Sequence, residues 1–222
     1  MSSEGGEGGR EVLDSGFRVL RALPDADRRR QVSSLAELTS IPRSTVHRLL
    51  LQLHRSAAVE LDADGRWAVS PQLAKITGRT GPFDGIRTGT NRILQALRAQ
   101  TGAAVSLVVA TGTSLIAVEF IPGHEDLPID AYAGAEVPDL TAAAVVLDPR
   151  HRRSPRSRPF AAAVDEEDVT DGLTCYARLL TLPGGRRAAL AVTSAARRAE
   201  RFAAHVQRAG NAIEVLAAAA SH

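Results

Sequence analysis

Residues Ile41–Ser56 read Ile-Pro-Arg-Ser-Thr-Val-His-Arg-Leu-Leu-Leu-Gln-Leu-His-Arg-Ser. Pro42 suits a first helical turn, where its missing N–H is one of the donors left over anyway. Val46, Leu49, Leu50 and Leu53 recur at i, i+3, i+4 and i+7, the spacing of one buried stripe on a helix. At about 100° per residue, Ser44, Arg48 and Arg55 fall opposite that stripe, with Thr45 and His47 on its flanks. Between Glu37 and Glu60 no acidic residue occurs, whereas three Arg and two His do. A helix that is apolar behind and short, polar and cationic in front is one that a DNA major groove admits. A solvated surface helix carries a similar outer face, so the flanking sequence has to decide.

Upstream, Val12, Leu13, Phe17, Val19, Leu20 and Leu23 have helical spacing, and Pro24 stops the run. Residues 1–11 are Gly-, Glu- and Ser-rich and are expected to be a disordered tail. Asp25–Arg30 reads as a polar loop. A short helix follows, capped by Ser33 or Ser34, with Glu37 three residues after Ser34 and with Leu35, Ala36 and Leu38 as its apolar face. It ends near Thr39-Ser40, so the 41–56 helix is the third of three, reached through a turn of a few residues. That is helix-turn-helix spacing. Downstream, Ala57–Leu61 and Arg66–Val69 read as two short strands around Asp62-Ala-Asp-Gly65, with Gly65 free to take a positive φ. A hairpin in this position is a wing. Arg66 lies near its tip, either to reach phosphate or the minor groove, or simply as a solubilising charge.

Three helices and a hairpin make a winged helix-turn-helix over 12–79. The segments "VLDSGFRVLRAL", "SLAELTSIPRSTVHRLLLQL" and "AAVELDADGRWAVSPQLAKI" resemble the N-terminal domain of IclR-type bacterial transcription regulators, most specifically in "IPRSTVHRLL". The resemblance implies that Arg43, Ser44, Thr45, His47 and Arg48 contact double-stranded DNA.

Thr80–Asp84, with Gly81-Pro82, reads as a hinge. Beyond it come a helix through Ile86, Ile93, Leu94 and Leu97, then strands Ala104–Val109 and Leu115–Ile121. Leu127–Ala133 alternates well enough for a third strand, and Thr141 caps a short helix to Leu147. Two more strands span Leu173–Leu182 and Ala188–Thr193. A last helix from about Ala195 carries Phe202, Val206, Ala209, Ile213 and Leu216 on one face. The fold class is therefore α+β, with a layered second domain over 80–222. "TGAAVSLVVATGTSLIAVEFIPG", "AGAEVPDLTAAAVVLD" and "GLTCYARLLTLPGGRRAALAVTSAARR" resemble the GAF-like effector domain of the same family. The resemblance implies a homodimer or homotetramer, a repressor more than an activator, and a small-molecule effector touching Val105, Leu107, Thr141, Cys175, Thr193 and Ser194.

Two departures from the family pattern stand out. The helix after the "G…P…TA" motif lacks the usual Gly-Lys, and the stretch between Leu147 and Leu173 is short. Asp148–Arg158 holds five Arg and two Pro with no apolar residue, which predicts a mobile basic loop outside any core. It is either a solvated linker or an accessory phosphate contact. Asp165–Asp168 is acidic. An effector pocket that is reduced or absent is the resulting expectation.

Composition bounds the alternatives. In 222 residues the net charge is +2, so the basic character is local; Lys75 is the one lysine. Cys175 is the one cysteine, insufficient for an internal disulfide or a zinc site, and a buried thiol more often packs than reacts. No phosphate-binding Gly loop or metal-ligand spacing occurs. His47 and His54, four apart, could share a metal, but a groove-facing and phosphate-facing pair fits better. The expectation is a cytoplasmic, non-enzymatic protein without cofactor, metal or membrane partner. A competing class is a sensing module whose winged domain binds protein instead of DNA.

Overall fold

The structure, a computed structural model, describes residues 5–77, 87–112, 114–148, 150, 157–158, 161–195 and 198–220. It divides into two compact units, Met1–Gly81 and Pro82–His222. The predicted hinge at 80–84 lies outside the described residues, as do Pro149 and 151–156 of the basic stretch.

The first unit contains α1 (Gly5–Ala22), α2 (Gln31–Thr39), α3 (Arg43–Arg55), β1 (Val59–Leu61), β2 (Trp67–Val69) and α4 (Pro71–Thr77). Val19, Leu23, Leu35, Ile41, Val46, Leu49, Leu50 and Val59 form its core. The expected stripe on α3 is the buried one, with Leu53 packed at its edge. The tail needs correction: the backbone is helical from Gly5. A helix held in the core at Val19 propagates backward with one hydrogen bond gained per residue fixed, which offsets poor composition. The start of α2 differs too. Arg30 is its N-cap and makes no side-chain cap bond. Ser34 is buried, accepting the Asp27 N–H at 3.0 Å, and Glu37 pairs outward with Arg30 at 2.8 Å. Ser40, in the left-handed region at φ 54°, ends α2 and turns the chain into α3. After the wing, Ser70 accepts the Gln72 N–H and Pro71 opens α4, a helix start with Pro in the first turn.

The second unit contains α5 (Arg87–Thr101), β3 (Ala104–Thr111), β4 (Ser114–Ile121), α6 (Ala142–Leu147), β5 (Ser157–Arg158), β6 (Ala162–Glu166), β7 (Thr174–Leu182), β8 (Arg186–Ser194) and α7 (Ala203–Ala219). The strands form one sheet in the order β4-β3-β8-β7-β6-β5, and every pairing is antiparallel. One face packs on α5 and α7 through Leu94, Leu107, Leu180, Leu190 and Ile213. The other carries α6, whose Ala142, Ala143 and Val146 lie on Ala163, Ala177, Ala189 and Ala191. Small residues on both sides let this short helix sit close to the sheet. Thr141 caps it, accepting the Ala144 N–H at 3.3 Å, and Arg187 donates to the Val146 carbonyl at its far end, 3.0 Å away.

Two expectations fail here. Leu127–Ala133 is not a strand: Pro128 removes a ladder donor, and β4 instead takes a single bridge from Glu136 to Ile116. The short stretch before Leu173 is more than loop, because Ala162–Val164 is a buried strand and Ser157–Arg158 pairs beside it.

Candidate nucleic-acid interface and effector cavity

On α3, Arg43, Ser44, His47 and Arg48 are exposed on the side away from Val46, Leu49 and Leu50, and Thr45 is half-buried between. Among the described residues no ion pair engages Arg43 or Arg48. Both guanidiniums therefore face solvent with their full donor sets, the arrangement that base edges and phosphates require. His54 does not extend that face. Its ring meets Trp67 edge-on at 5.7 Å, and its Nδ1 lies 3.1 Å from the Val59 carbonyl. It ties α3 to the wing, so the predicted phosphate-facing role is replaced by a packing one.

The wing turn is built around Asp62, which accepts the backbone N–H groups of Asp64 and Arg66 at 2.9 Å each and the Arg28 guanidinium at 3.1 Å. These bonds, the Arg66 N–H first, hold the Asp62 carboxyl below the usual carboxylate range. Gly65 takes φ 72° at the tip, as the turn demands. Arg66 is half-buried and pairs with Asp64 at 2.8 Å, so it is held against its own hairpin. Arg28, Arg29 and Arg30, expected only as part of a polar loop, have a defined place. They line a concave groove of about 600 Å³ together with Arg43 and Arg66. Three consecutive arginines before a helix were the available signal.

In the second unit a cavity of about 280 Å³ opens between the sheet, α6 and the 127–141 segment. Of the two expectations, a reduced pocket or an absent one, the cavity fits the first. Its floor is Ser106 and Val108 of β3, Ala191 and Thr193 of β8, and Cys175 of β7; Asp165 of β6 closes one end, and Tyr132 and Glu136 stand on the loop side. Thr193 Oγ1 donates to Cys175 Sγ at 3.6 Å. Burial pushes the Cys175 thiol up to about 12, the Asp165 carboxylate adding to the shift and the Thr193 hydroxyl opposing it.

Residues 12–63 match the IclR helix-turn-helix domain. The first unit thus carries a helix-turn-helix domain of the IclR type. A Cupriavidus necator protein described as "Probable transcriptional regulator SauR" is 24% identical over 123 residues, which are 55% of this chain. The chain spans about half of that relative, 49% of its length. An IclR homolog from Microbacterium hydrocarbonoxydans, solved in complex with 4-hydroxybenzoate, superimposes with a TM-score of 0.76 at 16% identity, over 94% of this chain and 99% of that one. The Thermotoga maritima IclR structure gives 0.63 at 18% identity, over 93% and 98%. At such identities the likeness is one of fold.

Within this IclR-type fold the expected effector residues divide. Thr141, Cys175 and Thr193 line the cavity. Val105 and Leu107 do not: they point into the α5/α7 core, while their neighbours Ser106 and Val108 face the cavity. Successive strand residues alternate faces; the core face carries Val105, Leu107 and Val109, and Ser106 on the cavity face was the one local sign of the phase. Ser194 is buried off the cavity, where its carbonyl accepts the Thr174 hydroxyl at 3.2 Å. Asp165 went unnoticed because it begins an acidic run; the Ala-Ala-Val triplet before it was the clue to a buried strand.

Proposed function

We propose that this protein represses transcription by binding double-stranded DNA as a homodimer or homotetramer, and that a small molecule in the second unit's cavity regulates it. The observation that carries the DNA part is α3: Arg43, Ser44, His47 and Arg48 stand exposed on one side of a helix whose other side is core. Arg43 and Arg48 read guanine edges or phosphates, with Ser44, Thr45 and His47 supporting and Arg66 on the flanking backbone. The 280 Å³ cavity supports the effector part, being near the lower end of pockets for small ligands, about 300–1,000 Å³. The Microbacterium hydrocarbonoxydans homolog binds 4-hydroxybenzoate, which shows that a related fold takes a compact aromatic.

Fluorescence anisotropy with a duplex from the gene's own upstream region, against excess unrelated DNA, tests this reading. Specific binding should weaken steeply with salt, because released counterions supply much of the affinity. Arg48→Ala should cost about 1–3 kcal/mol, the range for a base-reading arginine. Absence of any duplex binding at low salt would refute the DNA assignment and point to a protein partner for the winged unit.

A further inference from the structure

The groove between the start of α2, the start of α3 and the wing offers a further contact with DNA, an inference that rests on the DNA reading above. Its lining includes the arginines Arg28, Arg29, Arg30, Arg43 and Arg66. Three of them are occupied. Arg28 pairs with Asp62 at 3.1 Å, Arg30 with Asp27 at 3.2 Å and Glu37 at 2.8 Å, and Arg66 with Asp64 at 2.8 Å. The acids that meet this cluster, Asp27, Glu37, Asp62 and Asp64, are thus each engaged by one of those three. Arg29 and Arg43 are exposed, and among the described residues neither has an ion pair. They come from different elements and line the same groove.

The groove is also preformed. Gln31 joins its walls as a neighbouring strand would, its amide donating to the Trp67 carbonyl and accepting the Trp67 N–H, both at 2.8 Å. The Arg28–Asp62 bond adds a second tie, from the connection before α2 to the wing turn. Walls held in this way lose little freedom when a ligand enters. Two guanidiniums without acid partners, in a fixed concave seat, suit an anion with several acceptor oxygens. Arg43 is the first residue of α3, whose exposed side the DNA reading puts in a major groove. The phosphates that border that groove pass the ends of such a helix, so the DNA backbone is the anion within reach.

We propose that Arg29 and Arg43 bind the phosphate backbone of DNA in this groove, and that Arg48 is left to read base edges. Arg29 then belongs to the DNA interface although it lies before α2, outside both the recognition helix and the wing. Affinity and sequence preference are divided between the two sets. Phosphate contacts add the same attraction on any duplex, whereas base contacts add it only on the right one.

Anisotropy titrations of the full chain on an unrelated duplex and on the upstream duplex, each over a range of salt, test the assignment. On the unrelated duplex, Arg29→Ala and Arg43→Ala should each lower the slope of log affinity against log salt by about 0.9 per chain bound, the value for one phosphate contact. Arg29→Lys and Arg43→Lys should restore it, because lysine holds a phosphate as a point charge. Preference for the upstream duplex should stay within about twofold in all four variants. Arg48→Ala should cut that preference about fivefold or more, the loss of a base contact. An unchanged slope with Arg29→Ala overturns the proposal, while preference lost with Arg48→Ala keeps the DNA reading standing. Preference lost with Arg43→Ala and not regained with Arg43→Lys puts Arg43 at a base edge, where lysine does not replace a bidentate arginine, and overturns its assignment to phosphate. Absence of wild-type binding to either duplex at low salt overturns the proposal together with the DNA reading.

Discussion

At the residue scale, Cys175 shows how position governs chemistry. From sequence alone a lone cysteine near His and Asp residues invites a nucleophilic reading, which needs a thiolate. Here burial and the Asp165 carboxylate hold the thiol protonated, raised from 9.0 to about 12. The folded chain therefore keeps a proton that the unfolded chain releases above about pH 9, so this group's contribution to stability is present below that pH and is lost progressively between 9 and 12. Iodoacetamide at pH 8.0 ± 0.5 (about the unfolded thiol's range) should label Cys175 far more slowly in the native chain than in urea. The urea midpoint should also fall more between neutral and strongly alkaline pH for wild type than for Cys175→Ala. Equal labelling rates in native and unfolded chains would show that the thiol is not held neutral by the fold. Thr141, Cys175 and Thr193 were legible as cavity residues by resemblance, whereas Val105 and Leu107 were one residue out of phase. Only Ser106 distinguishes the two faces of β3 locally, because the rest of the strand through Val109 is apolar. The neighbours that set the phase come from α6 and the 127–141 segment, far away in sequence.

At the scale of elements, what could be read depended on whether one face met water. The α3 stripe was plain because its opposite side is polar, and the wing because Asp62 and Gly65 have turn-specific roles. Strand β6 was missed since four of its five residues are buried, giving a continuous short run without alternation. The contact between β7 and α7 was equally unreadable. There Arg178, 7% exposed, projects from the sheet into the helical layer. It donates to the Gln207 carbonyl at 2.9 Å and to Glu214 at 2.6 Å, and Glu214 in turn accepts the Thr181 N–H at 2.8 Å. Gly210 makes the room: a Cβ there would overlap Arg178 Nη1 and stand 2.9 Å from its Cζ and 3.0 Å from Leu180 Cδ2. Gly210→Ala should therefore destabilise the second unit by about 1–3 kcal/mol, the usual cost of overpacking, despite the better helix propensity of alanine. Adding Arg178→Met should deepen that loss despite relieving the overlap, since it leaves the Glu214 carboxylate and the Gln207 carbonyl without their shared donor. Thermal or urea unfolding of the single and double variants measures both effects; a Gly210→Ala variant as stable as wild type would mean that the sheet and α7 separate freely.

At the scale of the molecule, the division into two units was visible from the order of elements, because helices with a hairpin and helices with a six-stranded sheet bury different cores. One winged unit offers a single recognition helix of 13 residues, enough for a few base edges in one major groove. Affinity and specificity at physiological salt then depend on joining two such helices, which is why the dimer belongs to the proposed function. Two-fold related readers impose a period: their half-sites must be separated by about one helical turn of DNA, roughly 10 base pairs, or a multiple. An insertion of about half a turn between half-sites rotates the second groove to the opposite face of the duplex and should remove most of the affinity, whereas one of a full turn should restore part of it. Deleting one half-site should do as much damage as the half-turn insertion, because either change leaves a single helix bound. Anisotropy titrations on the parent duplex and these three variants, at one salt concentration, make the comparison. If the half-turn insertion bound as tightly as the parent, each winged unit would be reading DNA alone, and the function of the second unit would have to be sought in the effector rather than in pairing the readers.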